Sequence, residues 1–160
     1  FYTVQRVIDG DTFKLTNGES VRLIGIDTPE SKKNKKAKRD SDKTQKDLET
    51  ITSMGKESTQ FVKKNLLSKG TEVLLEYDVK KKDRYGRILA YAYKLEPSNQ
   101  FNPNTMVKRN NQTYLFINAI IIAKGYASPM TIPPNVKHAN LFQKLYIEAR
   151  ETNQGLWKTP

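Results

Sequence analysis

The sequence predicts a small Greek-key β-barrel of five strands, with helices set at one end and along one side. Three observations predict it. Short apolar stretches bounded by Gly, Pro, Asn or Asp recur over residues 2–8, 11–16, 20–27, 71–78 and 87–94, the pattern of strands and turns. Segments 55–68 and 137–152 repeat their apolar residues at helical spacing instead. The chain has 160 residues, 36% of them hydrophobic, and no internal repeat, which is enough for one buried core and reads as one domain over 1–160.

Residues 2–8 and 11–16 are strands joined at Asp9-Gly10, a dipeptide suited to a tight hairpin turn. Val21, Leu23, Ile24 and Ile26 make the third strand, roughly 20–27, a mostly apolar run. Thr28-Pro29-Glu30 has the composition of a helix start, with proline at the first helical position, or of a sharp turn. Over 31–54, Lys32, Lys33, Lys35, Lys36, Lys38, Arg39, Lys43 and Lys46 stand among Ser, Asn and Asp, so most of this stretch is expected to be a mobile lysine-rich loop. Phe61, Val62, Leu66 and Leu67 give the next helix its apolar face, and Gly70 stops it. Strands 71–78 and 87–94 bracket a charged turn at 80–87. Residues 95–113 hold Pro97, Pro103 and several asparagines and are expected as a long loop with room for a small hairpin. Over 115–124, Ile120-Ile121-Ile122 favours a strand whereas Gly125 after Lys124 favours a helix end, and propensity leaves both open. Pro129, Pro133 and Pro134 make the following stretch irregular. In the last helix Leu141, Leu145 and Ala149 recur every fourth residue; Gly155 ends it, and Leu156-Trp157 docks back on the body.

The net charge of +11 points to a polyanionic partner. An anionic membrane surface would attract the same charge, but no apolar run approaches spanning length and no signal peptide opens the chain. Phe1 leads straight into an alternating pattern, as in a trimmed mature domain. Without cysteine there is no disulfide, thiol nucleophile or cysteine-held zinc, and with one histidine no histidine-rich metal site. Any metal must be held by oxygen, which favours calcium or magnesium.

Against this basic background the acidic residues are concentrated. Ile8-Asp9-Gly10-Asp11-Thr12 and Arg22-Leu23-Ile24-Gly25-Ile26-Asp27-Thr28-Pro29-Glu30 gather carboxylates and an arginine in one stretch, and Asp83-Arg84-Tyr85-Gly86-Arg87 adds a second charged block. Carboxylates for a hard cation, a carboxylate for proton transfer and two arginines for a phosphate are the parts of a metal-dependent phosphodiesterase. Each motif also has a plainer use: Asp-Gly makes turns, and Thr-Pro-Glu caps helices. Strand parity poses a problem, because Arg22 and Asp27 stand five residues apart and face opposite sides of a straight strand; a bend at Gly25 would bring them together. The five-stranded OB architecture is a known frame for binding nucleic acid.

These motifs, with Asn118–Ala127 (NAIIIAKGYA) and the closing Glu148–Trp157, resemble the staphylococcal nuclease (thermonuclease) family over nearly the whole chain. The resemblance implies an OB-fold five-stranded Greek-key barrel plus three α-helices, with 115–124 helical. It implies a secreted bacterial endonuclease, monomeric and not membrane-bound, that cleaves DNA and RNA at the 5′-oxygen–phosphorus bond with Ca2+ as cofactor and leaves 3′-phosphates. Single-stranded or denatured substrate is expected to be preferred. Asp11 and Asp27 match the family's calcium aspartates, and the Thr28 carbonyl its third protein ligand. Glu30 matches the residue assigned as general base, Arg22 and Arg87 the two arginines that clamp the scissile phosphate. Arg84 and Tyr85 stand where the family binds the terminal phosphate, with Arg84 replacing a familiar lysine.

The chain departs from the pattern after Ala127. Ser128-Pro129-Met130-Thr131-Ile132-Pro133-Pro134 lacks the tyrosines that flank the nucleotide elsewhere in the family. The lysine loop is also longer than its familiar counterpart; it serves as a solubilising surface or as a cationic arm that gathers phosphates. A nuclease-like module that binds without cutting is the alternative to an enzyme. A protein-interaction domain reusing the barrel is a third reading. His138 is taken as structural and Trp157 as a docking residue.

Overall fold

A computed structural model describes residues 1–30, 48–95 and 101–158. Strand β1 (Tyr2–Asp9) pairs antiparallel with β2 (Thr12–Leu15), and β2 with β3 (Ser20–Leu23). β5 (Glu72–Glu76) pairs with β1 on one edge and with β6 (Ile88–Leu95) on the other. A parallel pairing of β3 with β6, Arg22 opposite Leu89, then closes the ring. Closure of five short strands requires strong curl, and register shifts in β1 between Val4 and Arg6 and between Val7 and Asp9 provide it. Val4, Phe13, Leu15, Val21, Leu23, Val73 and Ala90 fill the interior.

The third strand does not run straight to residue 27. It breaks at Ile24-Gly25, where Gly25 takes φ +81°. A short strand β4 (Gly25–Asp27) then leaves the barrel and pairs with β9 (Ser128–Met130), Asp27 opposite Ser128. The segment expected to be irregular thus contributes a strand, with Pro129 tolerated because the ribbon is only two strands wide. A side chain at residue 25 would also strike the Phe142 ring, 2.6 Å from its Cβ.

Helix α1 (Leu48–Asn65) starts well before the expected 55, so 48–54 is helical rather than loop. Its buried face is Ile51, Thr52, Gly55, Ser58 and Val62, mostly small or polar residues, and apolar periodicity therefore misses its first half. Residues 31–47 of the lysine-rich stretch lie outside the described residues. The loop expected over 95–113 contains the hairpin it had room for, β7 (Met106–Arg109) and β8 (Gln112–Phe116), turning through Asn110 and Asn111 at positive φ. Helix α2 (Ile117–Ala123) follows at once. Its three isoleucines are fully buried, and tertiary burial overrides their strand propensity. Helix α3 (Ala139–Glu151) buries Phe142, Leu145 and Ala149. Trp157, in a closing single-turn helix, packs edge-on against Tyr146 at 5.7 Å, as docking predicts. Among the described residues no helix is long and apolar enough to cross a membrane.

His138 ties the start of α3 to the barrel. Its ring lies against Tyr91 and Phe116, centroids 4.4 and 4.9 Å away, and its Nε2 is 2.9 Å from Glu76 Oε1. Tyr93 Oη donates to the same carboxylate at 2.8 Å, Lys137 Nζ to its other oxygen, and Tyr91 Oη to Asp78 at 2.7 Å. Burial pushes the Glu76 carboxyl up, but the Lys137, His138 and Tyr93 hydrogen bonds outweigh it and hold the group below its ordinary value. A folded chain that binds such a proton less readily than the unfolded one is stabilised fully above the unfolded pKa, about 4.3. That contribution fades as pH falls through the lower folded value. Glu76→Gln is therefore expected to lower urea-unfolding stability near neutral pH, with the gap to the parent closing below about pH 4. A gap that stays constant across that range would refute the assignment.

Candidate active site

Asp11 occupies the turn between β1 and β2, and it is this Gly10-Asp11 pair, one residue later than expected, that makes the turn. Its carboxylate is buried and heavily bonded. Thr12 Oγ1 donates to Oδ1 at 2.9 Å, and the Thr28 N–H and Oγ1 both donate to Oδ2 at 3.1 Å. Arg22 reaches the cluster from β3: its Nη2 lies 3.4 Å from Asp11 Oδ2 and 3.7 Å from Asp27 Oδ1. The kink at Ile24-Gly25 thus resolves the parity problem and brings Arg22 and Asp27 to one place. Arg22 Nη1 donates to the carbonyls of Leu23 and Ile26, at 2.7 and 2.9 Å, so the guanidinium also splints the kink.

Across a cleft of about 350 Å³ stands the β5–β6 turn. Arg22 and Arg87 both line this cleft, with Arg84 and Tyr85 beside them. Asp83 organises the turn: Oδ1 accepts the N–H groups of Tyr85 and Arg87, at 2.9 and 3.0 Å, and Oδ2 accepts Arg87 Nε at 2.7 Å. Burial raises the Asp83 pKa, but these hydrogen bonds and the Arg87 charge prevail and hold the carboxyl below its ordinary range. Arg87 is thereby presented with Nε engaged and, among the described residues, no other hydrogen bond on its Nη1–Nη2 edge. Arg84 Nη2 donates to Tyr85 Oη at 2.6 Å, and Tyr85 is 68% exposed. The opposite wall is aliphatic, formed by Met130, Ile132, Pro133 and Pro134 where aromatic residues were missed in the sequence.

Glu30 follows directly on the Asp11–Thr28 contacts and is half-buried. Residues 28–30 are not helical, which removes the helix-start reading of Thr28-Pro29-Glu30. Helix α1 presses on this segment instead. A Cβ on Gly55 would lie 2.3 Å from the carbonyl of Glu30, and one on Gly10 would lie 2.8 Å from Thr28 Cγ2. Two glycines thus let the helix, the turn and the acidic segment meet.

Sequence reading missed the residues that brace this assembly. Asn118 of α2 is fully buried; its Nδ2 donates to Ile24 O at 2.9 Å and its Oδ1 accepts Ala92 N–H at 3.0 Å. It pins the kink from below. Asn135 likewise bridges the Lys80 backbone with both ends of its amide, at 2.8 and 2.9 Å, and holds the aliphatic wall beside the β5–β6 turn. A lone asparagine in an apolar run, as in Asn118-Ala119-Ile120, is the signal that could have exposed the first of these. Asn118→Leu keeps the volume and strands two buried backbone groups, at about 1–3 kcal/mol each. Loss of stability together with a fall in kcat is the expected result; thermal unfolding and cleavage rates of the folded fraction measure both.

The described residues thus make a closed OB-type barrel with three helices and an acid–arginine cluster at the foot of a basic cleft. A family profile described as staphylococcal nuclease homologue matches residues 20–159. The thermonuclease of Staphylococcus intermedius is 32% identical over 160 residues, covering 98% of this chain and 76% of its own. That of Staphylococcus hyicus is 30% identical over 159 residues, covering 98% and 75%. The SPbeta prophage-derived endonuclease YokF of Bacillus subtilis is 28% identical over 97% of this chain and 43% of its own length. The chain belongs to the staphylococcal nuclease family.

Proposed function

We propose that this protein is a calcium-dependent nuclease that hydrolyses DNA and RNA at the 5′-oxygen–phosphorus bond, with little sequence specificity. The observation that carries the reading is the convergence of Asp11, Asp27 and Arg22 beside Thr28, with Arg87 across the same cleft. The relatives named thermonuclease and endonuclease support it.

The donor set fits a hard cation held loosely. Asp11 and Asp27 converge on one guanidinium nitrogen, and every candidate donor is oxygen. Among the described residues no third acidic or histidine side chain joins them to make a closed cage. Asp11, Asp27 and the Thr28 carbonyl would hold calcium, with positions left for water and substrate phosphate. Bound there, the cation supplies charge neutralisation at the scissile phosphate. In this reading Arg87, oriented by Asp83, offers two parallel donors to the equatorial oxygens as negative charge builds on them. Arg22 already shares Nη2 with both carboxylates, and its Nε–Nη2 edge is the part left to meet phosphate. Glu30 takes the proton of the attacking water, or aligns that water, while Arg84 and Tyr85 hold a neighbouring phosphate at the exposed rim. All these groups come from one chain, so a monomer suffices. Export from a bacterial cell completes the reading.

The test is cleavage of denatured DNA and of RNA with calcium and then with EGTA. Degradation with calcium that stops on chelation, with 3′-phosphate ends, is the expected outcome. Tight binding without cleavage at any calcium level would instead make this a nucleic-acid-binding module. Cleavage that survives EGTA would remove the cation from the reading.

A further inference from the structure

A second surface lies on the far flank of α1, away from the cleft. Phe61 of α1 stacks on Tyr126, ring centroids 4.5 Å apart and planes 17° from parallel. The pair sits in a shallow groove of about 410 Å³ lined also by Lys56, Glu57, Gln60 and Lys64. Lys56 and Lys64 are both exposed and stand eight residues apart on the helix, about 12 Å along its axis, with the aromatic pair between them. Both rings are half-buried, so the stack carries packing and still presents surface to the groove.

The groove is rigidly coupled to the active site. Ser58, one turn before Phe61, donates to the Tyr126 carbonyl at 2.8 Å, and on its other side it approaches Gly10 and Thr28. Tyr126 stands two residues before Ser128, which pairs with Asp27. Lys56 follows Gly55, the residue in contact with the Glu30 carbonyl. A strand leaving the acidic cluster toward α1 would therefore meet two cations spaced along a helix and an aromatic face between them. That combination fits a single-stranded nucleic acid: the lysines pair with phosphates, and a base stacks on the aromatic pair without being read.

We propose that the Lys56–Phe61–Tyr126–Lys64 groove is a secondary binding track for single-stranded DNA or RNA, extending the substrate path beyond the catalytic cleft. The proposal rests on the nuclease reading above, and Glu57 is its built-in control. Glu57 is the acidic lining residue of the groove and its charge helps raise the Tyr126 pKa, after burial. Removing it should strengthen binding.

The experiment compares oligothymidylates about 20 nucleotides long with a dinucleotide substrate too short to leave the cleft. In Lys56→Ala/Lys64→Ala, KM for the long strand should rise several-fold with kcat unchanged. In fluorescence anisotropy under EGTA, the slope of log affinity against log salt should flatten by about 0.7 per lysine. Tyr126→Leu, which keeps an apolar cover on Phe61, should weaken long-strand binding about tenfold. Glu57→Gln should tighten it, an outcome that misfolding cannot imitate. Dinucleotide cleavage should stay at the parental rate in all three. Long-strand affinity and salt slope that remain parental would overturn the track, as would equal losses on long and short substrates. If the parent cleaves no dinucleotide at all, the nuclease reading fails by itself, and the anisotropy series still decides the groove.

Discussion

Glu30→Gln is expected to lower turnover of denatured DNA by about 10²–10⁴-fold, the range typical of a lost general base. The substitution keeps the side chain's size and hydrogen-bonding reach while removing the basic oxygen. Thermal unfolding should therefore be nearly unchanged, and calcium binding, which this reading assigns to Asp11, Asp27 and Thr28, should survive. The acidic limb of the kcat/KM profile should disappear with the carboxylate. Gly55→Ala gives the contrast. A methyl group there cannot coexist with the Glu30 carbonyl 2.3 Å away, so helix and segment must part. That variant is expected to lose activity together with stability, and to retain the shape of the pH profile because its carboxylate is still present. If a folded Glu30→Gln protein turns over DNA at the parental rate, Glu30 is not the proton acceptor.

The barrel was legible because its strands alternate and its turns carry Asp-Gly, Asn and Gly in the places turns need them. The acidic and basic site residues stood out as charges grouped at short intervals. What stayed hidden was set by contacts that leave no periodic trace. Gly10, Gly55 and Ser58 matter for the volume they do not occupy, and a small residue in a helix reads as a weak position rather than a packed one. The start of α1 was missed for that reason. Asn118 pays no visible part in hydrophobic pattern, yet its amide fixes the kink that reconciles Arg22 with Asp27. The β4–β9 ribbon was masked by prolines, whose prohibition applies to interior strands and not to so narrow a pair. Ile120-Ile121-Ile122 shows the opposite failure: propensity spoke clearly for a strand, and burial on all sides of a short helix decided otherwise.

Arg87→Lys is expected to reduce kcat by about 10²–10³-fold, the usual cost of removing one preorganised donor from a developing oxyanion. The argument is geometric. Asp83 takes Nε of Arg87 at 2.7 Å and fixes the plane of the guanidinium, which leaves two parallel N–H groups for phosphate. A lysine ammonium can satisfy Asp83 or reach into the cleft, but it is a compact point charge and cannot do both from one rigid plane. KM should change less than kcat, because the lost donors matter most when charge accumulates on the equatorial oxygens. Asp83→Asn separates orientation from charge. It keeps Arg87 but weakens the acceptor that aims it, so its activity should fall between parent and Arg87→Lys. Arg22→Lys should be the harsher change overall. Its guanidinium holds the Leu23 and Ile26 carbonyls as well as both aspartates, so stability and calcium response should suffer along with turnover. Single-turnover rates at saturating substrate, beside thermal unfolding of each variant, distinguish the two arginines. Parental kcat in Arg87→Lys would mean that this side chain contributes charge to the cleft and nothing directional to the reaction.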